Sequence, residues 1–174
     1  MTETEYEEAI KKLGWEDLIN GWQSRNNGDM QAKWGKGKFF EYAIIRAFEL
    51  EGAEVRYPFN VSSPLGDIDN MEQIDGVIYE KGLTILVESK DYAKTKIDIG
   101  PLAKLQARLI RRPSPVIGCI FSNTSFTLPA LVLSESLMPH TILLWNKSDI
   151  KHCFKNKSFR KVLTLKYRSV IETG

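Results

Sequence analysis

Two strand-like runs, residues 74–79 and 83–90, are separated only by Glu80, Lys81 and Gly82. So short a connection reads as an antiparallel hairpin. With Lys81 and Gly82 as a two-residue turn, Glu80 pairs with Leu83, and counting back along both strands sets Asp75 directly opposite Glu88. Opposed residues project from one sheet face with Cβ atoms about 5 Å apart, so this register holds two carboxylates together against their mutual repulsion. Lys90 points to the same face, because side chains alternate along a strand. A three-residue loop through Glu80 with a bulge at Gly82 shifts the pairing by one and sends Glu88 to the other face from Asp75, and the sequence leaves both registers open. The plain alternative for such a set is a solvent-facing ion-pair ladder. Against it, Leu83, Ile85 and Val87 fill one face of the second run while Leu86 shares the face of Glu88, so neither face is simply solvated.

The rest of the chain supplies elements to enclose that hairpin. Residues 4–18 look helical, and residues 20–37, with Asn26, Asn27 and Gly28, read as an irregular connection. In residues 38–50 the apolar Phe40, Ile44, Ala47 and Phe48 recur at helical spacing, with Gly52 placed to end the helix. Residues 53–59 form a strand candidate stopped by Pro58 and the turn-rich residues 62–66. Pro101 opens a helix running to about Arg112, residues 116–121 read as a strand covered on both faces, Pro129 starts a short helix, and residues 141–145 form a further buried strand. Strand, helix, strand in that order suggests a right-handed parallel crossover. The whole is an α/β chain with a mixed central sheet flanked by helices.

A length of 174 residues, 43% hydrophobic and 26% charged, fits one globular domain. Within it, residues 1–35 read as an N-terminal helical extension, 36–146 as the core, and 147–174 as a basic C-terminal extension packed on the same domain. No uninterrupted apolar run approaches the roughly 18 residues of a membrane span. Glu3, Glu5, Glu7 and Glu8 stand where a signal peptide would be basic, so a cytoplasmic protein with no membrane partner is expected. Cys119 reads as a small buried hydrophobe, and His140 and His152 lack partners at zinc-ligand spacing. The formal net charge is only +2, but Lys94, Lys96, Lys104, Arg108, Arg111 and Arg112 form one basic cluster, and Lys155, Lys157, Arg160, Lys161, Lys166 and Arg168 another. Such clusters form either a phosphate-binding surface or ordinary solvated faces.

Paired carboxylates suit a hard divalent cation such as Mg²⁺, which takes oxygen ligands and usually needs one or two carboxylates plus substrate phosphate. Lys90 would then stabilise negative charge on a phosphate or orient an attacking water. Two helical positions add to the set. In projection Glu41 falls between Ile45 and Phe48, away from a stripe of Tyr42, Arg46 and Glu49 read as exposed. Gln106 falls between Leu102 and Ile110, opposite Lys104, Arg108 and Arg111, so it is expected to point inward. Lys36 and Lys38, beside Gly35 and Gly37 at a helix start, are placed to contact backbone phosphate, with flexible linker glycines as the alternative.

These residues resemble the PD-(D/E)-x-K nuclease superfamily, whose signature is an acidic residue on one strand and an acidic-x-Lys triplet on the next. The matching residues are Asp75 in Gln73-Ile74-Asp75-Gly76 and the triplet Glu88-Ser89-Lys90. The resemblance runs from about Lys36 to Leu133 and is greatest to Mrr-like restriction endonucleases and Holliday-junction resolvases. Ile74 replaces the proline of the signature, and Ile110 stands where the Q-x-x-x-Y element of exonuclease-like members, begun by Gln106, would have tyrosine. Asp67 is a rival first acidic residue in a turn-rich stretch.

The resemblance implies a restriction-endonuclease-like αβββαβ core and hydrolysis of DNA phosphodiesters by metal-activated water. Asp75, Glu88 and the Ser89 carbonyl would hold Mg²⁺ (or Mn²⁺), Lys90 would position the water, and Glu41 would support them or ligate a second metal. Catalytic residues would be Asp75, Glu88, Lys90, Glu41 and Gln106. Lys36, Lys38, Lys94 and Lys96 would contact DNA. Two other functions fit the same chain: a catalytically inactive nucleic-acid-binding module of this fold, or a dimeric structural or assembly protein, with Trp15, Leu18, Ile19 and Trp22 as the surface of a homodimer.

Overall fold

The computed structural model describes residues 1–25, 28–62, 72–113, 115–137 and 139–173. In chain order these form α1 (Glu3–Lys11), α2 (Trp15–Gln23), α3 (Gly28–Trp34), α4 (Lys38–Leu50), β1 (Glu54–Arg56), β2 (Phe59–Val61), β3 (Glu72–Ile74), β4 (Gly76–Glu80), β5 (Leu83–Lys90), α5 (Ile99–Ile110), β6 (Val116–Ser122), α6 (Leu128–Ser136), β7 (Ile142–Trp145), α7 (Lys147–Asn156) and α8 (Phe159–Thr173).

Five strands make one mixed sheet in the order β1-β4-β5-β6-β7. β1 and β5 pair antiparallel with β4, whereas β5–β6 and β6–β7 are parallel. The parallel β5–α5–β6 crossover follows from the length of chain between those strands. The expected αβββαβ order is carried by α4, β1, β4, β5, α5 and β6. Strand alternation divides the core. Ile78, Ile85, Val87, Cys119, Phe121 and Trp145 join the α4 side, while Val77, Leu86 and Ile120 meet Leu102, Leu105 and Leu109 of α5 on the other. A Cβ added at Gly118 would lie 2.7 Å from the Leu105 Cδ2, so the missing side chain is what lets α5 lie close on β6.

Several boundaries differ from expectation, each for a local reason. The stretch 4–18 is two helices: Gly14 is extended, and its N–H donates to the Asp17 carboxylate at 2.9 Å, starting α2 afresh. The expected irregular stretch 20–37 holds the end of α2 and all of α3, because Trp22 and Trp34 are core residues and their burial outweighs the turn-forming composition. The strand expected over 53–59 divides at Pro58, which has no N–H to donate, and β2 and β3 form a separate two-stranded sheet. α5 begins at Ile99 with Asp98 accepting from the Gly100 N–H at 3.1 Å, two residues before Pro101. Tyr42, read as exposed, is fully buried because α1 lies across that stripe; its hydroxyl donates to Glu3 and its ring meets Tyr6 at 5.5 Å. Leu18 and Trp22, read as a dimer surface, are likewise taken into this chain's own core. Asn26, Asn27 and the stretch holding Asp67 lie outside the described residues. Among the described residues no helix is long and apolar enough to cross a membrane.

Candidate active site

The hairpin register is the one set by a two-residue turn. Lys81 and Gly82 both take positive φ, 47° and 84°, which matches a turn whose backbone twist suits the flanking strands. Glu80 pairs with Leu83 and Gly76 with Val87, where the pairing ends one position short of Asp75 and Glu88. The expected strand 74–79 is broken at Asp75, where the chain passes from β3 of the small sheet to β4 of the large one. Freed from strand pairing at this bend, the Asp75 carboxylate accepts a hydrogen bond of 2.7 Å from the Ser89 N–H. That contact ties it to the backbone of the Glu88-Ser89-Lys90 triplet.

Glu88 is 2% exposed and has a cation on each oxygen. Lys90 Nζ donates to Oε1, and the Arg108 guanidinium donates to Oε2. Arg108, expected to be exposed, is 4% exposed, whereas Gln106 is half-buried and Ile110 is 62% exposed. The helical projection was misleading because the buried stripe is Leu102, Leu105 and Leu109, which leaves Gln106 and Arg108 on its two flanks. From its flank the long Arg108 side chain reaches back to the sheet. Its Nε meets Glu72 at 2.9 Å and its Nη2 donates to the Gln73 carbonyl at 2.6 Å. Arg111 and Arg112 close on the same Glu72 at 2.9 and 2.7 Å. Burial alone would raise the Glu72 carboxyl, but the arginines, Arg112 foremost, hold it below its usual range. No motif announces Arg108; the only signal in the sequence is three arginines at 108, 111 and 112.

Two carboxyl groups here are held above their usual range. Burial, then the charge of Glu88, pushes Asp75 up to about 6 despite the Ser89 N–H and Lys90. Burial, then the charge of Asp75, pushes Glu41 on α4 up to about 8. Burial alone would lower Lys90, but Glu88 and then Asp75 outweigh it, so the lysine stays charged. Glu41 itself is turned to Lys38 at 3.2 Å, and Lys38 also reaches Glu3 at 3.1 Å. Among the described residues no three His, Cys, Asp or Glu side chains gather into a metal-holding group. The Ser89 hydroxyl, on the α4 face by strand alternation, is a buried polar atom with no hydrogen-bond partner.

Beyond Lys90 a buried network ties the end of β5 to other elements. The Trp22 indole donates to the Asn123 side-chain oxygen at 2.6 Å, the Asn123 amide donates to Asp91 at 2.5 Å, and the Asn123 N–H donates to the Lys90 carbonyl at 3.2 Å. Arg25 meets Asp91 at 3.1 Å. Of these four side chains the sequence singles out only Trp22, and as a dimer surface, since they come together only through the tertiary fold. Arg25, Lys36, Gly37, Tyr92 and Lys94 line a hollow of about 340 Å³ at this end of the sheet. Of the four lysines read as phosphate contacts, Lys36 and Lys94 share this hollow, Lys38 is engaged by acids, and Lys96 is exposed outside it. Each basic cluster is partly spent inside the molecule: Arg108, Arg111 and Arg112 on acids, Arg160 on the Glu80 carboxylate and the Glu51 carbonyl, and Lys166 on Asp149.

No protein-family model and no curated protein matches the sequence. Solved structures do. A protein of unknown function, AF1548, superposes with a TM-score of 0.50 at 18% identity, over 61% of this chain and 56% of that one. The MspJI restriction endonuclease in complex with a 27-mer oligonucleotide gives 0.46 at 17% identity, over 78% of this chain and 30% of that one. The DNA modification-dependent restriction endonuclease AspBHI gives 0.46 at 12%, over all of this chain and 43% of that one. The chain thus spans a little over half the length of the first of these and less than half of the two endonucleases. The likeness to AF1548 is that of a chain that here folds as a mixed five-stranded sheet with helices on both faces. It is the fold alone that this likeness carries.

Proposed function

We propose that the chain is a metal-dependent endonuclease that hydrolyses phosphodiester bonds in DNA. One observation supports this reading above the others: at the bend between β3 and β4, Asp75 is fixed by the Ser89 N–H beside Glu88, with the Lys90 ammonium on Glu88. The donor set suits Mg²⁺ or Mn²⁺, since carboxylate oxygens are the ligands such ions prefer and two suffice when substrate phosphate and water complete the shell. Burial, and then the charge of Glu88, raises the Asp75 carboxyl, and a divalent ion bound between the two carboxylates would relieve that repulsion.

In this reading Asp75 and Glu88, with the Ser89 carbonyl, hold the ion. Lys90 stays protonated and orients the water or meets charge gathering on the phosphate. A bound divalent ion supplies Lewis acidity and lowers the pKa of water. Lys36 and Lys94 grip the DNA backbone from the adjoining hollow.

The second reading, an inactive DNA-binding module, has one observation in its favour: both oxygens of Glu88 already have cationic partners. Cleavage assays decide between them, using supercoiled, linear, branched and single-stranded DNA with Mg²⁺ or Mn²⁺. Wild type should cut at least one form, and Glu88→Ala and Lys90→Ala should lose roughly 10²–10³-fold or more in rate, the scale for removing a group that stabilises developing charge. Equal cleavage by all three proteins refutes the nuclease; binding without cleavage by wild type selects the inactive module.

A further inference from the structure

Glu88 has two oxygens, and only the one shared with Lys90 is held by a group that the proposed chemistry uses. The other is held from behind by Arg108, a residue of a different element. The guanidinium is almost completely buried, and its other two nitrogens are engaged as well: Nε with Glu72 at 2.9 Å and Nη2 with the Gln73 carbonyl at 2.6 Å. Glu72 is in turn clamped by Arg111 and Arg112. A planar guanidinium with donors in a fixed fork cannot swing away from one partner without giving up the others. Arg108 is therefore an anchored donor, and Gln73 and Glu72, its two other partners, lie just ahead of Asp75 in the chain. One side chain thus references Glu88 on β5 to the backbone that delivers Asp75.

We propose that Arg108 is a positioning residue of the cation site: by holding Oε2 of Glu88 it presents Oε1 alone, as a single-oxygen ligand, toward Asp75. The inference rests on the nuclease reading above and assigns a residue to it. The alternative role, a clamp that only joins α5 to β3, uses the Glu72 and Gln73 contacts and has no need of the bond to Glu88. Arg108→Lys keeps the charge but loses the fork, and Arg108→Gln keeps a donor but loses the charge.

The test is Mn²⁺ binding by calorimetry without DNA, with thermal melts as a folding check and cleavage rates across Mg²⁺ concentrations. Partners that orient a metal ligand are worth about 10–100-fold in metal affinity. Folded Arg108→Lys should weaken Mn²⁺ binding by a factor of that size, Arg108→Gln by at least as much, and the Arg108→Lys cleavage rate should recover when Mg²⁺ is raised. A metal dissociation constant unchanged from wild type in a folded variant overturns the inference while leaving the nuclease intact. Loss of folding in both variants assigns Arg108 to the fold and also overturns it. Wild type that neither binds Mn²⁺ nor cuts ends the nuclease reading, and this inference with it.

Discussion

Glu41 has a side chain only 13% exposed, yet it bears a carboxylate near a second one, and burial with the charge of Asp75 pushes it up to about 8. A folded-state pKa above the ordinary 4.5 means that the folded protein binds this proton more readily than the unfolded chain. The contribution to stability is complete below about pH 4.5 and is lost as pH rises through about 8. Asp75, raised from 3.8 to about 6, acts in the same direction over a lower window. Without divalent cations, these two groups should make stability fall as pH climbs from about 4 to 8. Glu41→Gln removes the larger part while leaving Lys38 an acceptor, and Lys38 keeps Glu3 as well. On the order of 1–2 kcal/mol should be gained at pH 8. For a chain of this size that is a rise of roughly 2–8 °C in Tm, with little change at pH 4.5. Thermal melts of both proteins at the two pH values check it, and a lower Tm for Glu41→Gln at pH 8 would show that the charge is no burden.

At the scale of the element, the hairpin was legible because its evidence is local, two strand-like runs with a glycine between them, but its register was not: the sequence left two open, and the positive φ of Lys81 and Gly82 decides for the two-residue turn. The break at Asp75 was not read, because it arises where one sheet gives way to another, a tertiary event whose only local sign is Gly76, which takes a φ of 155° beside Ile45. Arg108 was missed for a related reason. A helical projection treats each side chain as a direction, and the reach of a guanidinium toward two buried acids depends on where the sheet lies. The turn itself admits improvement. Lys81 takes φ of 47°, a conformation in which residues with a Cβ are strained and asparagine is favoured. Lys81→Asn is exposed, leaves Gly82 in place and should stabilise by a few tenths to about 1 kcal/mol. Differential scanning calorimetry should show a Tm rise of roughly 1–4 °C, with cleavage unchanged; a fall in Tm would mean that the turn depends on the lysine for more than its backbone shape.

Across the whole molecule a formal charge of +2 conceals where the positive charge is free to act. Arg25, Arg108, Arg111, Arg112, Arg160 and Lys166 are all paired with acids, so the clusters visible in the sequence overstate the basic surface. Lys36 and Lys94 are different: both are exposed, among the described residues neither forms an ion pair, and both line the hollow beyond the end of β5 where Lys90 lies. A lysine that neutralises a phosphate releases a condensed counterion, so its removal should flatten the dependence of log K on log salt by about 0.9 per contact on duplex DNA. Lys36→Ala with Lys94→Ala should therefore reduce that slope by close to 2 and weaken binding to every sequence alike, since backbone contacts carry no base information. Lys104, exposed but outside the hollow, provides the comparison: Lys104→Ala should change the slope by less than either single variant. Fluorescence anisotropy with a labelled duplex over a range of salt concentrations, with divalent ions withheld so that no cleavage intervenes, gives all the slopes. If the Lys36 and Lys94 variants keep the wild-type slope while Lys104→Ala reduces it, the DNA lies along the outer face of α5 instead, and the path from the hollow to Asp75 and Glu88 is not the one the strand takes.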